Sequence, residues 1–147
     1  MRITKEEYKK LYEGLSPNSP SWKTIPGAFL VGGTICTVAQ GFKVFYESRG
    51  FAESDVSTLV SMTMVFIGVL LTGLGLFGKL AKFAGAGTLV PITGFANSVA
   101  APAVEFKTEG FILGVGAKMF TIAGPVIVYG VSASVVYGLI YWSLSML

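Results

Sequence analysis

The sequence predicts an all-α integral membrane protein. We expect a small polytopic helical bundle with about four membrane segments, one or two of them broken at glycine or proline, and a short N-terminal amphipathic helix. Three observations carry this expectation. Apolar residues fill 52% of the 147 positions and charged residues only 13%, and the mean hydropathy is +0.68, so water is not the main solvent of this chain. Four charge-free intervals follow one another: Thr24 to Phe42, Val56 to Gly78, Phe83 to Val104 and Met119 to Leu147. Each approaches or exceeds the roughly 20 residues that a helix needs to cross about 30 Å of hydrocarbon. Trp22 precedes the first interval, and Tyr141 and Trp142 lie near the end of the last, where amphipathic rings anchor at the interface.

We divide the chain into a charged tail with an amphipathic helix, residues 1–22, and a single transmembrane domain, residues 23–147. In the tail, Thr4 and Glu7 have the spacing of a capping box. Tyr8, Leu11, Tyr12 and Leu15 follow at i, i+3, i+4 and i+7 before Gly14, Pro17 and Pro20 break the pattern. Two readings are open: a helix lying on the membrane surface, or a partly ordered tail, since a helix this short is marginal alone in water. Arg2, Lys5, Lys9, Lys10 and Lys23 concentrate the net charge of +3 before the first span, which places the N-terminus on the cytoplasmic side. The first span is expected to be retained, because a polar tail precedes it and further spans follow.

Within the first span, Ala28, Gly32 and Cys36 repeat every four residues, as do Gly33, Thr37 and Gly41. Two adjacent small-residue faces result, suited to close helix contacts. Cys36 is the only cysteine, so it has no disulfide partner and is expected to pack as a small apolar group. The second span should start at a cap from Ser54 or Asp55 and run to about Gly78. Gly73, Gly75 and Gly78 spell G-x-G-x-x-G, but without the strand and crossover that a dinucleotide site needs they read as helix packing.

The third interval is unusual. Gly85, Gly87 and Gly94 with Pro91 and Pro102 oppose an unbroken lipid-facing helix. Backbone amides freed at membrane depth need protein or water as partners, so this stretch should be buried or line a wet cavity. After the charged turn Glu105 to Gly110, an apolar segment from Phe111 to Ala123 carries Lys118 and meets Gly124-Pro125. Pro125 is expected to open a new helix over Val126 to Leu144.

There is no histidine, which removes the usual zinc sites, Cys–His nucleophiles and Ser–His triads. Glu105 and Glu109 read as interface charges. We expect no catalytic residues, no cofactor and no metal site, and with no basic stripe bearing interleaved aromatics, no nucleic-acid partner. What remains is a pathway or a scaffold in the lipid bilayer. The pathway candidates are Gly85, Gly87, Thr88, Pro91, Thr93, Gly94, Asn97 and Ser98, together with Gln40 and Lys118. Broken helices aim N–H dipoles at anions, and hydroxyls and amides add donors. Two roles are equally open to these polar groups, lining a pathway or tying helices together, and Lys118 has the further alternative of snorkelling to the interface. The helix-packing candidates are Ala28, Gly32, Gly33, Cys36 and Gly41.

Phe29-Leu30-Val31-Gly32-Gly33, Ile35-Cys36 and Gln40-Gly41, then Phe83 to Gly87 with Val90 to Ser98, and finally Glu105 to Gly110, resemble the SpoVA membrane proteins of endospore-forming bacteria. The resemblance covers about Trp22 to Gly138, and the charged tail before Trp22 departs from the AE-type subunit of that family. It implies a subunit of the spore inner-membrane complex that moves dipicolinic acid, with calcium, into the forming spore and releases it at germination, with a possible response to membrane tension. It also implies other SpoVA subunits as partners, an AE-type membrane subunit and an AD-type soluble one. One chain this short has few helices with which to enclose an organic anion, so an oligomer is expected, joined through the small-residue faces of the first span.

Overall fold

The computed structural model describes residues 4–15 and 21–146. Arg2, Pro17 and Pro20 lie outside the described residues, as does the side chain of Lys10. Among the described residues the chain is helical with turns and no strand: α1 Lys5–Leu15, α2 Ser21–Ser48, α3 Glu53–Gly73, α4 Leu76–Ala84, α5 Ala86–Leu89, α6 Ile92–Glu105 and α7 Ala117–Ser145. A 3-10 turn at Lys107–Glu109 and a π-helical stretch at Phe111–Gly116 lead into α7. Three helices are long and apolar enough to cross a membrane, Ser21–Ser48, Glu53–Gly73 and Phe111–Ser145. The third charge-free interval is divided between α4, α5 and α6.

The capping box of α1 forms as the spacing predicts. The Thr4 backbone N–H donates to the Glu7 carboxylate at 3.0 Å, and the Glu7 N–H donates back to the Thr4 hydroxyl at 3.3 Å. α2 continues past Phe42 to Ser48, carrying Lys43 within it. α3 begins at Glu53 behind an extended Ala52 with no side-chain cap, so Ser54 and Asp55 lie inside its first turn and do not cap it. It also stops earlier than expected. Gly73 is its last residue, and Gly75 turns the chain at φ +70°, a conformation that strains any residue bearing a Cβ. The G-x-G-x-x-G pattern therefore spans a turn between two helices.

Pro125 does not open a helix. It sits inside α7, which with the π-helical stretch forms one element of 35 residues. The ring removes one backbone hydrogen bond, and the apolar surroundings supply no water to reward further unwinding, so the helix continues through it. Beyond Ala123 and Gly124 no residue of the helix is buried, and every residue from Pro125 to Met146 is exposed on the isolated chain.

The core is small and built on close backbone contacts. α5 lies on α2, where a Cβ placed on Gly32 would stand 3.3 Å from the Gly87 carbonyl oxygen. A Cβ on Gly87 would come within 2.8 Å of the Ala28 Cα and closer still to its carbonyl oxygen. α6 crosses α3 at Gly68, where an added Cβ would meet the Thr93 carbonyl at 3.0 Å and the Ala96 Cβ at 3.1 Å. The Ala28–Gly32 face, expected between subunits, is thus covered by this chain's own α5, whereas Gly33 and Gly41 face open space. Cys36 does not pack as expected either. It is exposed, because α5 covers the turn below it and ends before reaching it.

Two predictions follow from these contacts. Gly87→Ala forces backbones apart and should destabilise the detergent-solubilised protein by about 1–3 kcal/mol, read as a lower midpoint in thermal size-exclusion measurements, while Gly33→Ala leaves that midpoint unchanged or slightly raised. Glu7 is held below the usual glutamate range, first by the Thr4 backbone N–H and then by the Thr4 hydroxyl. Its contribution to α1 is therefore complete above the ordinary value of roughly 4.3 and is lost as pH falls through the lower folded value. Cα chemical shifts of residues 5–15 should move toward coil over that acidic range, and Thr4→Ala should remove most of the pH dependence.

Candidate functional site

The candidate site grows from the break between α5 and α6. Gly85 takes φ +51°, a four-residue helix follows, and Pro91 stands extended at ψ 161° before α6 begins. Proline has no N–H to leave unpaired, so the chain can break at Pro91 itself, while Val90 before it keeps helical dihedrals (φ −71°, ψ −42°). The chain folds back so tightly here that a Cβ on Gly94 would overlap the Thr88 and Leu89 carbonyl groups. Several amides freed by the break find local acceptors: Gly85 N–H to Ala81 O at 2.8 Å, Val90 N–H to Ala86 O at 3.1 Å and Gly94 N–H to Pro91 O at 2.8 Å. The break is internally bonded, as membrane depth demands.

Its polar side chains point to different places. Thr88 is buried, 1% exposed, and its hydroxyl donates to Gly85 O at 3.0 Å. Ser98 is buried and donates to Phe95 O at 2.7 Å. Asn97 meets the Thr72 hydroxyl of α3 at 2.9 Å, and the same hydroxyl lies 2.7 Å from Gly68 O. One hydroxyl proton serves one acceptor at a time. Turning the Asn97 amide over lets its NH2 group donate to Thr72 while Thr72 donates to Gly68.

Thr93 differs from the others. It is 3% exposed and its hydroxyl has no hydrogen-bond partner. It faces a cavity of about 170 Å³ between α2, α3, α4 and α6, where Thr34 is the other hydroxyl among apolar side chains such as Met64, Ile67 and Phe77. Thr34 already donates to Leu30 O at 2.8 Å. With no cation in its wall, that cavity is unsuited to a free anion.

Gln40 lies elsewhere, in a groove of about 430 Å³ between α2 and α3 that it shares with Lys43, Glu53, Ser57 and Ser61. A second groove, of about 370 Å³, runs along α2 from Ala28 and Gly32 to Gly87, Val90 and Pro91 of the break. Cys36 lines both, so the two are neighbours along one face of α2. Lys118 belongs to neither. Its ammonium sits 4.8 Å from the centre of the Phe106 ring, at the junction of α6 and α7, a cation–π contact that anchors the start of the last span.

The structure thus brings Gly85, Gly87, Thr88, Pro91, Thr93, Gly94, Asn97 and Ser98 into one region and leaves Gln40 and Lys118 in two others. Sequence reasoning passed over Lys43, Glu53, Ser57 and Ser61. A signal existed, since Glu53, Ser57 and Ser61 recur every four residues and therefore share one face of α3. Among the described residues, no group of His, Cys, Asp or Glu side chains gathers in a way that could hold a metal ion.

No solved structure matches the chain. The stage V sporulation protein AC of Bacillus subtilis (strain 168) is 44% identical over 141 residues, covering 95% of this chain and 94% of that protein. The family described as SpoVAC/SpoVAEB sporulation membrane protein matches residues 24–140, from the start of α2 to near the end of α7. The chain belongs to the SpoVAC/SpoVAEB family of sporulation membrane proteins.

Proposed function

We propose that this protein is a membrane channel or permease subunit for dipicolinic acid, carried with calcium across the spore inner membrane, inward during sporulation and outward at germination. It is not read as an enzyme. The observation that carries the proposal is the broken helix: a four-residue α5 and a proline-capped α6 bedded against two full spans, beside grooves that open onto α2. Irregular backbone at membrane depth is tolerated where protein buries it or water reaches it, and such breaks mark binding sites in transporters. The N-terminus is assigned to the spore-core side by the basic residues before α2. The glycines between Gly73 and Gly87 supply hinges on which membrane tension would act.

A second reading is a non-conducting subunit that organises the same complex with AE-type and AD-type partners. Two observations favour it. Thr88, Asn97 and Ser98 each make a hydrogen bond inside the bundle, and the second half of α7 is exposed on the isolated chain.

Reconstitution separates the two. The protein alone, placed in liposomes loaded with calcium dipicolinate, should release its load as read by terbium fluorescence, and osmotic stretch should accelerate that release. Well-inserted protein that releases nothing, stretched or not, favours the organising role. Asn97→Leu tests the break itself. It removes a hydrogen bond worth about 0.5–1.5 kcal/mol, so the variant should still insert and assemble but pass dipicolinate more slowly. Equal passage would leave Asn97 as a packing residue tied to Thr72.

A further inference from the structure

We propose that the cavity bounded by α2, α3, α4 and α6 is a binding site for a small neutral aryl alcohol, its ring held by the apolar walls and its hydroxyl paired with Thr93. The site is separate from the proposed path for dipicolinate and does not rest on it.

Met64 of α3, Phe77 of α4 and Thr93 of α6 form the floor of the cavity, each only 3% exposed. Thr34 and Val38 of α2 and Leu80 of α4 are exposed and border its open side. Thr93 is the second residue of α6, directly after the break at Pro91. Its hydroxyl oxygen is the one buried side-chain polar atom without a hydrogen-bond partner among the described residues. A hydroxyl taken out of water and left unpaired is costly, so this position calls for a partner that the chain does not supply. Thr34 has committed its proton to Leu30 O at 2.8 Å and keeps only a lone pair to offer.

The surroundings narrow the class of occupant. An ion is excluded because no charged side chain lines the wall. Water needs two to four polar partners per molecule, and the several waters that about 170 Å³ would hold find two hydroxyls between them. Phospholipid does not answer the hydroxyl either. Thr34 lies ten residues after Thr24 and eight before Phe42 in a charge-free interval, about 12–15 Å of helix from either end. Lipid carbonyls stay in the interfacial layer, and an acyl tail reaching this depth brings only carbon. Size and polarity together fit a single aromatic ring. A cavity of about 150 Å³ lined by Leu, Ile and Phe side chains stays dry and takes up benzene, and this one is slightly larger with one free hydroxyl at its floor. A neutral phenol partitions into the bilayer, enters from the open side, and can either donate to Thr93 or accept from it.

Phenol and toluene have the same number of heavy atoms and differ in the hydroxyl alone, so they serve as the probes. The full-length protein in detergent micelles, carrying carbon-13 methionine methyl groups, reports occupancy through Met64, and Met62, 64% exposed, serves as the reference two residues away. Both probes should shift the Met64 methyl resonance saturably and leave Met62 without saturation. At equal concentration in the micelle phase, phenol should half-saturate roughly two- to tenfold lower than toluene, the factor that one hydrogen bond supplies. Thr93→Val keeps the shape and removes the hydroxyl. In that variant the advantage of phenol should vanish while toluene still shifts Met64, and Thr93→Ser should restore it.

A Met64 resonance that neither probe shifts saturably would overturn the site. Equal half-saturation by phenol and toluene in the wild type would overturn the alcohol as its ligand, leaving a pocket for hydrocarbon. An advantage of phenol that survives in Thr93→Val would overturn the pairing with Thr93. Should the valine variant fail to fold, the wild-type comparison decides between the first two outcomes and the expected one.

Discussion

Gly87 of α5 rests on the backbone of Ala28 and Gly32 with no side chain between them, and the placement of the broken segment depends on that approach. In lipid no hydrophobic drive pulls one apolar helix toward another, so association relies on van der Waals contact and hydrogen bonds. A four-residue helix has little surface with which to make such contact. It holds its place because Gly87 and Gly32 carry no side chain, and Ala28 only a methyl group, to keep the two backbones apart. The same logic recurs at Gly68, where α6 comes down onto α3, and at Gly94, where the chain doubles back on Thr88 and Leu89.

These contacts decide where polar groups end up. With α5 and α6 drawn in, Thr88 and Ser98 bond to nearby carbonyls, Asn97 reaches Thr72, and Thr93 is left facing an apolar cavity. The conspicuous glycine–proline motif therefore builds the frame, and its hydroxyls and amide largely hold it together. The groove between α2 and α3 carries the opposite character. There, Gln40, Glu53 and Ser57 stand exposed beside Lys43, which pairs with Glu47 at 3.6 Å. Frame and open polar surface meet at Cys36.

The long last span shows the same division between backbone and environment. The π-helical stretch Phe111–Gly116 brings Gly114 against Phe106 and Glu109 so closely that a Cβ would lie 2.7 Å from the Phe106 carbonyl oxygen. That contact and the Lys118–Phe106 stack fasten the first third of the span to α6. The remainder carries no charge and is exposed from Pro125 to Met146 on the isolated chain, and it extends into whatever surrounds the chain, lipid or a neighbouring subunit.

Membrane character, the helical class, the capping box of α1 and the break between Gly85 and Ser98 were legible in the sequence, because each follows from local chemistry. Charge-free length, hydrogen-bond spacing, and the backbone limits of glycine and proline act within a few residues. Two local rules failed. Pro125 reads as a helix start, yet in an environment without water an unbroken helix keeps more of its backbone bonded than an early stop would; Ser54 or Asp55 reads as a cap, but α3 already begins at Glu53 behind an extended Ala52. Tertiary structure alone decided which small-residue face is covered from within, that Cys36 lies open, and that Gln40 joins Lys43, Glu53, Ser57 and Ser61 and not the motif around Pro91. Those outcomes depend on how α2 and α3 are paired and on where α5 folds back. They are set by contacts between residues far apart in sequence, which no local spacing specifies.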